Sequence, residues 1–541
     1  MDISLVEMER LGWPTATRWD ELHEAEKRLC SHLEINRLCR QEGSMYVSRS
    51  NTIYARDLQD PLVHTLMDRV MSELNDGTMP RLIPASAEVV EKALDEGLTD
   101  HSKQKETPLI GSDEARQREG ELRALLQRAQ DLRATDVHIE YRRNSQDTKT
   151  VLKCRVDGRM RSLMRPQTEE YGARLLTYLC NRNQNFRVKN FNPNGTNDGQ
   201  FNLLLNNVLG KPDNTTWRYS QIDTTYGAKI TLRRLASGSI PKLEDLGYEP
   251  WQIKVLRQEL QKPLGVIVLS GPTGSGKTTA ATSCIMEIPV DRNIHTLEDP
   301  PEYNIPHAHQ TDLNKNFDSE KKQKKGEGFR EYAEQELRMD PDVINIGEIR
   351  DKFAGEICAW LGNTGHLVFA TLHTSSAVGC ASTLIRHLGV DPMLVASPDV
   401  FNVFLNQKLI AKACPNCRVG FDDADHLSED EQLEVMELFD DELDALRFAK
   451  PKGCPTCNGT GFYQRTVVAE LILLDTQGRK YMETCQLNEW LQYLEEQGWP
   501  SIREHALLKI RRGELDFFEA KRHVQNLTAG LTTKVNYREM I

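Results

Sequence analysis

Residues 271–278 read GPTGSGKT. A glycine, four residues and then Gly-Lys-Thr is the spacing of a loop that wraps phosphate. The glycines let backbone N–H groups turn toward phosphate oxygens, and a helix starting behind the loop adds a partial positive charge. Gly271, Pro272, Thr273, Gly274, Ser275, Gly276, Lys277, Thr278 and Thr279 are therefore the candidate nucleotide contacts. Lys277 would bridge the β- and γ-phosphates, and the Thr278 hydroxyl would ligate Mg²⁺. The nucleotide implied is ATP, and the loop alone does not say what is done with it.

Phosphoryl transfer to water also needs a carboxylate to orient or activate water and another near the metal. Two acidic stretches follow the loop: HTLEDPPEY, with Glu298 and Asp299, and DPDVINIGEIRD, with Glu348. Taken singly, either reads equally as helix capping or loop solvation. Two acidic strand ends downstream of one phosphate loop shift the balance toward catalysis. In TGHLVFATLHT, His366 and His373 bracket a strand at a separation of seven. Histidines at strand ends are commonly structural. Here they are read as groups that contact the γ-phosphate or hydrogen-bond the carboxylates.

Twelve cysteines fall into two classes. Eight are scattered singly. Cys414-Pro-Asn-Cys417 and Cys454-Pro-Thr-Cys457 are two CxxC pairs, separated by 36 residues. Each CxxC turn can place two thiolates on one ion, and two turns close a tetrahedral S₄ site. Zn²⁺ fits best and iron is possible. Four thiolates leave no open position, so the metal is read as structural. The remaining thiols read as reduced and cytosolic.

The elements that must position these groups follow from periodicity. LGVIVLS, NIHTLED, VINIGEI and HLVFATL are continuous apolar runs, as expected for parallel strands buried on both faces. Alternating with helices, they predict an α/β doubly wound domain from 241 to 541. It includes a zinc module over 408–470 and helices over 471–541. Upstream, 113–240 reads as an α+β domain. A helix over about 114–132 precedes alternating strands TDVHIEYRR, TVLKCRVDGRMRSL, GQFNLLL, TTWRYSQIDT and AKITLRRL, broken by Asp-Gly and Asn-Gly turns. Residues 1–112 read as helical, with Leu22, Leu29, Leu33 and Leu38 on one face.

The chain has 541 residues, enough for three or four domains, with a formal net charge of −12. That charge makes it a poor general binder of nucleic acid. No apolar run is long enough to span a bilayer, and MDISLVEMERLGW lacks a basic signal region. A cytoplasmic protein is expected.

In order, GPTGSGKTT, IHTLEDPPEY, LRMDPDVINIGEIRD and TGHLVFATLHTSSA resemble the Walker A, Asp, Walker B and His boxes of the secretion ATPase superfamily, the motors of type II secretion, type IV pili and related machines. The resemblance runs from about 120 to 525. It implies a RecA-like P-loop ATPase domain behind a PAS-like α+β domain. It also implies a homohexamer that closes on ATP and acts on an inner-membrane platform protein, adding pilin or pseudopilin subunits to a fibre. By this resemblance Glu298 would activate the attacking water and Glu348 is the Walker B acid. His366 and His373 are the His box, and Arg218 and Arg233 reach the phosphates from the upstream domain. The four-cysteine module is typical of secretion and pilus-extension motors. The chain departs from the pattern at Glu334, Leu384, Lys408 and Ser375, and in an insertion containing KKQKKGEG at 321–328. This divergence suggests a type IVb or plasmid-type pilus system. The implied place is the cytoplasm, peripheral to the inner membrane, with residues 1–112 docking on the platform. Three other readings stay open: a type II secretion or DNA-uptake motor, a nucleic-acid translocase, and a nucleotide-gated scaffold without turnover.

Overall fold

The computed structural model describes interrupted stretches between residues 15 and 96, and then 113–143, 148–182, 191–207, 212–235, 240–313 and 327–528. Two compact units divide the chain, Met1–Ser112 and Asp113–Ile541. Leu29, Leu33, Leu38 and residues 321–326 of the insertion lie outside the described residues.

The first unit is not wholly helical. It contains a three-stranded sheet of β1 (Met45–Val47), β2 (Thr52–Ala55) and β3 (Arg81–Pro84), with β1 antiparallel and β3 parallel to β2. The helix Ala87–Glu96 follows, and Val89, Val90 and Ala93 join Tyr46, Val47 and Ile53 in one core. Strands of three or four residues are too short to show an alternation, which is why they escaped the sequence pattern.

The second unit begins with the helix Asp113–Asp131. Its strands are β4 (Ala134–Arg143), β5 (Thr148–Val156), β6 (Arg159–Ser162), β7 (Asn197–Asn206), β8 (Pro212–Thr224) and β9 (Gly227–Arg234). They form an antiparallel sheet in the order β6-β5-β4-β9-β8-β7. Burial alternates along β5 and β8, so one face is wet. The other face packs Trp217, Tyr219, Ile139 and Leu152 against Leu122 and Leu126 of the first helix and Leu175 and Leu179 of the helix Glu169–Arg182.

The sheet that follows contains β10 (Gly265–Ser270), β11 (Ile294–Glu298), β12 (Ala308–Asp312), β13 (Val343–Ile346), β14 (Leu367–Leu372), β15 (Phe401–Ala413) and β16 (Phe462–Leu473). Its order is β12-β11-β13-β14-β10-β15-β16, parallel except for β16 at the edge. Every residue of β10, β11, β13 and β14 is buried. Their side chains feed two cores in turn. Val266 and Val268 enter one with Ile344 and Ala370; Ile267 and Leu269 enter the other with Phe369 and Leu405. This is the α/β, RecA-like arrangement, with β14 lying between the phosphate-loop strand β10 and the acidic strand β13. Residues 414–461 are an excursion between β15 and β16, so the thiol module is shorter at both ends than the sequence suggested. Helices Ile502–Arg511 and Phe517–His523 pack beside it through Leu507, Ile510 and Phe517. Among the described residues no helix is long and apolar enough to cross a membrane.

Candidate functional site

In a parallel sheet all C-terminal strand ends lie at one edge, which is where ligands bind in doubly wound folds. Gly271 follows β10, Glu298 ends β11, Glu348 follows β13 and His373 follows β14. One edge therefore collects the phosphate loop, two acidic loops and one histidine.

The loop has the backbone that its glycines allow. Gly271, Gly274 and Gly276 have φ of 143°, 78° and 84°. Gly276 caps the helix Lys277–Ile285, whose first N–H groups face the loop. A Cβ on Gly271 would lie 2.2 Å from the Gln407 carbonyl, so that glycine is required by close approach as well. The Gln407 side chain accepts from the Tyr248 hydroxyl and donates to the Ser275 carbonyl at 2.7 Å, which pins the loop onto β15. The Ser275 hydroxyl is buried without a protein partner. Lys277 Nζ donates to the Gly271 and Pro272 carbonyls at 2.9 and 3.2 Å. Burial lowers its pKa, opposed by Glu348 and Glu302.

A charge relay runs from this lysine. Lys277 Nζ is 3.5 Å from His373 Nδ1, and His373 Nε2 is 3.1 Å from Glu348 Oε1. Arg350 Nε donates to Glu348 Oε2 at 2.7 Å, and Arg350 Nη1 to Asp299 Oδ2 at 3.1 Å. Burial and the neighbouring Lys277 lower the His373 pKa, so its ring is neutral near neutral pH. Nδ1 then accepts from the ammonium and Nε2–H donates to Glu348, which settles the tautomer. Arg350, which the sequence reading did not single out, ties the two acidic loops together.

Glu298 lines the same cleft as the phosphate loop. It is buried, and its Oε1 accepts from Thr296 Oγ1 at 2.7 Å and Gln310 Nε2 at 2.9 Å. A second glutamate after this strand, Glu302, was overlooked in the sequence and also lines the cleft. The Thr278 hydroxyl lies beside it in the same cleft. Burial raises the Glu302 pKa, while Arg233, Thr278 and Arg218 pull it down. Pro300 and Pro301 follow the strand end and turn the chain so that Glu302 comes back over the loop. That turn was the available signal. Tyr303 beside it meets Thr279, hydroxyl to hydroxyl, at 3.0 Å.

His366 is not at this edge. It precedes β14, with Nδ1 against the Leu361 carbonyl and Thr364 Oγ1, both at 3.2 Å. The six residues of β14 separate it from His373 by about 20 Å. Bracketing a strand puts two residues at opposite ends of it, so the paired reading of the histidines fails within one chain.

The upstream sheet supplies the opposite wall. Arg218 on β8 pairs in register with Arg233 on β9, and Arg233 Nε donates to Asp136 Oδ1 at 2.9 Å. Both line a cleft of about 1050 Å³ together with the phosphate loop, Glu302, Glu348 and His373. The residues fit a nucleoside triphosphate with Mg²⁺: the phosphate loop, the Thr278 hydroxyl and the carboxylates of Glu298, Glu302 and Glu348 line one cleft.

The four cysteines also converge. Their sulfurs lie within 4.8 Å of one another. The Cys414–Cys454, Cys417–Cys457 and Cys454–Cys457 Sγ separations are all 3.8 Å. Four sulfurs about 2.3 Å from a tetrahedral centre would be spaced about 3.8 Å, so the cluster fits Zn²⁺. Burial alone would raise the Cys457 pKa, but N–H groups of Cys454 and Gly461 bring it down to about 6. A Cβ on Gly453 would fall within 2.7 Å of Gly459, Gly461 and the Cys457 sulfur, so the knuckle closes only around glycine. This module and the start of β16 touch the upstream domain. Arg161 Nη1 donates to the Asn458 carbonyl at 3.1 Å, and Arg159 and Arg133 sit over the Phe462 and Tyr463 rings at 4.1 and 4.0 Å.

Residues 113–522 match the family described as Type II/IV secretion system protein. The chain is 32% identical over 405 residues to the type II secretion system protein E of Aeromonas hydrophila, covering 74% of each. It is 31% identical over 386 residues to the type IV pilus assembly ATPase PilB of Thermus thermophilus, covering 70% of this chain and 40% of that one. The structure resembles the Legionella pneumophila ATPase DotB with a TM-score of 0.52 at 16% identity, covering 79% and 98%. With the ordered boxes, the one-edged site and a match over most of its length, the chain belongs to the type II/IV secretion system protein family.

Proposed function

We propose that the protein is an ATP-hydrolysing motor that powers assembly of a type IV pilus, working as a homohexamer on an inner-membrane platform protein from the cytoplasmic side. The observation that carries the ATPase reading is the convergence of Lys277, His373, Glu348 and Glu302 on one loop, with Arg218 and Arg233 across the cleft. Lys277 binds the phosphates and, released from the loop carbonyls, follows their charge. Glu302 orients the attacking water and takes its proton. Glu348 is aimed by Arg350 and His373. Thr278 would hold Mg²⁺, which would supply charge neutralisation along the phosphates. Arg218 and Arg233 meet transition-state charge only when the two walls close, which couples hydrolysis to movement of the upstream domain.

The thiol cluster with structural Zn²⁺ supports pilus extension. A type II secretion motor is the second reading, favoured by the relative from Aeromonas hydrophila. Residues 1–112 would dock on the platform. Their acidic composition suits a basic surface. Phosphate release by the purified chain tests the enzyme; a Lys277→Ala variant with undiminished turnover would refute the site. Fibre assembly against secreted-enzyme export in a deletion strain separates the two machines.

A further inference from the structure

Two buried polar side chains lie beneath the site with no part in the chemistry above. Asn406 on β15 and Glu470 on β16 are cross-strand partners. Both are almost wholly inaccessible. Asn406 Nδ2 donates to Ser270 Oγ at 2.9 Å and to the Thr374 carbonyl at 3.1 Å. Ser270 is the last residue before the phosphate loop, and Thr374 follows His373. One carboxamide thus ties the roots of both loops. Glu470 holds the far end of the histidine loop: Oε1 accepts from Ala377 N at 2.6 Å and Oε2 from Ile502 N at 2.9 Å. Ile502 opens a helix, where its N–H has no partner within the helix.

A carboxylate is the group this arrangement calls for. Two N–H donors from separate segments need an acceptor on each oxygen, and an amide offers only one. Burying a carboxylate is costly, and burial does raise its pKa, with the two N–H groups opposing. A merely packed position would carry an apolar side chain at less cost.

We infer that Asn406 and Glu470 are positioning residues for the hydrolysis: together they fix the loop 373–377 so that His373 stays bonded to Glu348, and Glu470 links that loop to the C-terminal helix Ile502–Arg511. The inference rests on the proposed ATPase reading. Movement of His373 on nucleotide turnover would then be transmitted to that helix through a single carboxylate.

A Glu470→Gln variant of the full chain tests this. It keeps one acceptor and loses the other. We expect turnover to fall about 10- to 100-fold, the cost of small misplacement, with KM for ATP within about threefold. In a His373→Ala background the same change costs less than about threefold further, because its effect passes through His373. A full repeat of the loss there, or unchanged turnover in the single variant, overturns the inference. Hydrogen exchange of the amides of 374–378 needs no turnover and stands even if the chain proves not to hydrolyse ATP. It is expected to quicken at least about tenfold in Glu470→Gln. Unchanged exchange overturns the inference without touching the proposed function. Should Glu470→Gln not fold, Asn406→Ala is read in the same two assays, with the same outcomes for and against.

Discussion

The geometry divides two glutamates that the sequence places four residues apart. Glu298 receives both of its hydrogen bonds on Oε1. A glutamine there keeps that oxygen, so Glu298→Gln preserves the local structure and removes only the second carboxylate oxygen. Glu302 faces Thr278, with Arg233 and Arg218 nearby. Glutamine at that position keeps the shape and loses the base. General-base catalysis contributes about 10²–10⁴-fold. We therefore expect Glu302→Gln to lower kcat about 10²- to 10³-fold, about 3–4 kcal/mol of barrier, and Glu298→Gln to stay within about tenfold of wild type. The assay is phosphate release at saturating ATP and Mg²⁺, with binding of a fluorescent nucleotide as the control for an intact site. The pH profile adds a second readout. Burial raises the Glu302 pKa and the base works ionised, so kcat climbs with pH along an acid limb displaced upward from the ordinary carboxylate range. That limb disappears in Glu302→Gln. Loss of turnover in Glu298→Gln, with Glu302→Gln near wild type, would refute the assignment.

The histidines should separate: His373→Ala lowers kcat at least about tenfold, whereas His366→Ala leaves it within about threefold, measured by the same phosphate release. Cys457→Ser should lose about one Zn²⁺ per chain by elemental analysis and expose the 414–461 excursion to protease, since metal binding here is folding energy. Glu336 is buried beside His295, and burial raises its pKa to about 7 against a partial offset from Thr311. The folded state thus holds a proton that the unfolded chain has released, and stability falls as pH rises from about 4.5 to 7. Glu336→Gln should gain about 2–3 kcal/mol relative to wild type at pH 8 over pH 5, read by denaturant melts; a constant difference would contradict the burial argument.

What was legible in the sequence was what local spacing controls. The loop glycines, the four buried parallel strands and the two CxxC turns all sit where their patterns put them, because each depends on neighbours a few residues away. The antiparallel strands upstream were legible for the same reason. Glu302 was missed because a Pro-Pro turn separates it from the strand end, so distance from the strand did not point to it. His366 was paired with His373 from a similarity of flanking residues, although an extended run between them forces them apart. Asn406, Gln407 and Glu470 were invisible as site residues. Their partners lie more than thirty residues away, and nothing in their local sequence reports that. The short strands of the first unit and the edge strand β12 lack the length over which a period shows.

Arg161 meets the thiol module through one carbonyl, while Arg133 and Arg159 sit over the Tyr463 and Phe462 rings at the start of β16 and Arg159 also pairs with the buried Glu519. Each cation–π contact is worth about 0.5–1 kcal/mol at an accessible site. Under the proposed motor reading, these few contacts would give the upstream domain a preferred seat that it leaves and regains as the cleft opens and closes. The thiol knuckle would then serve as a detent, a stiff bump against which that domain comes to rest.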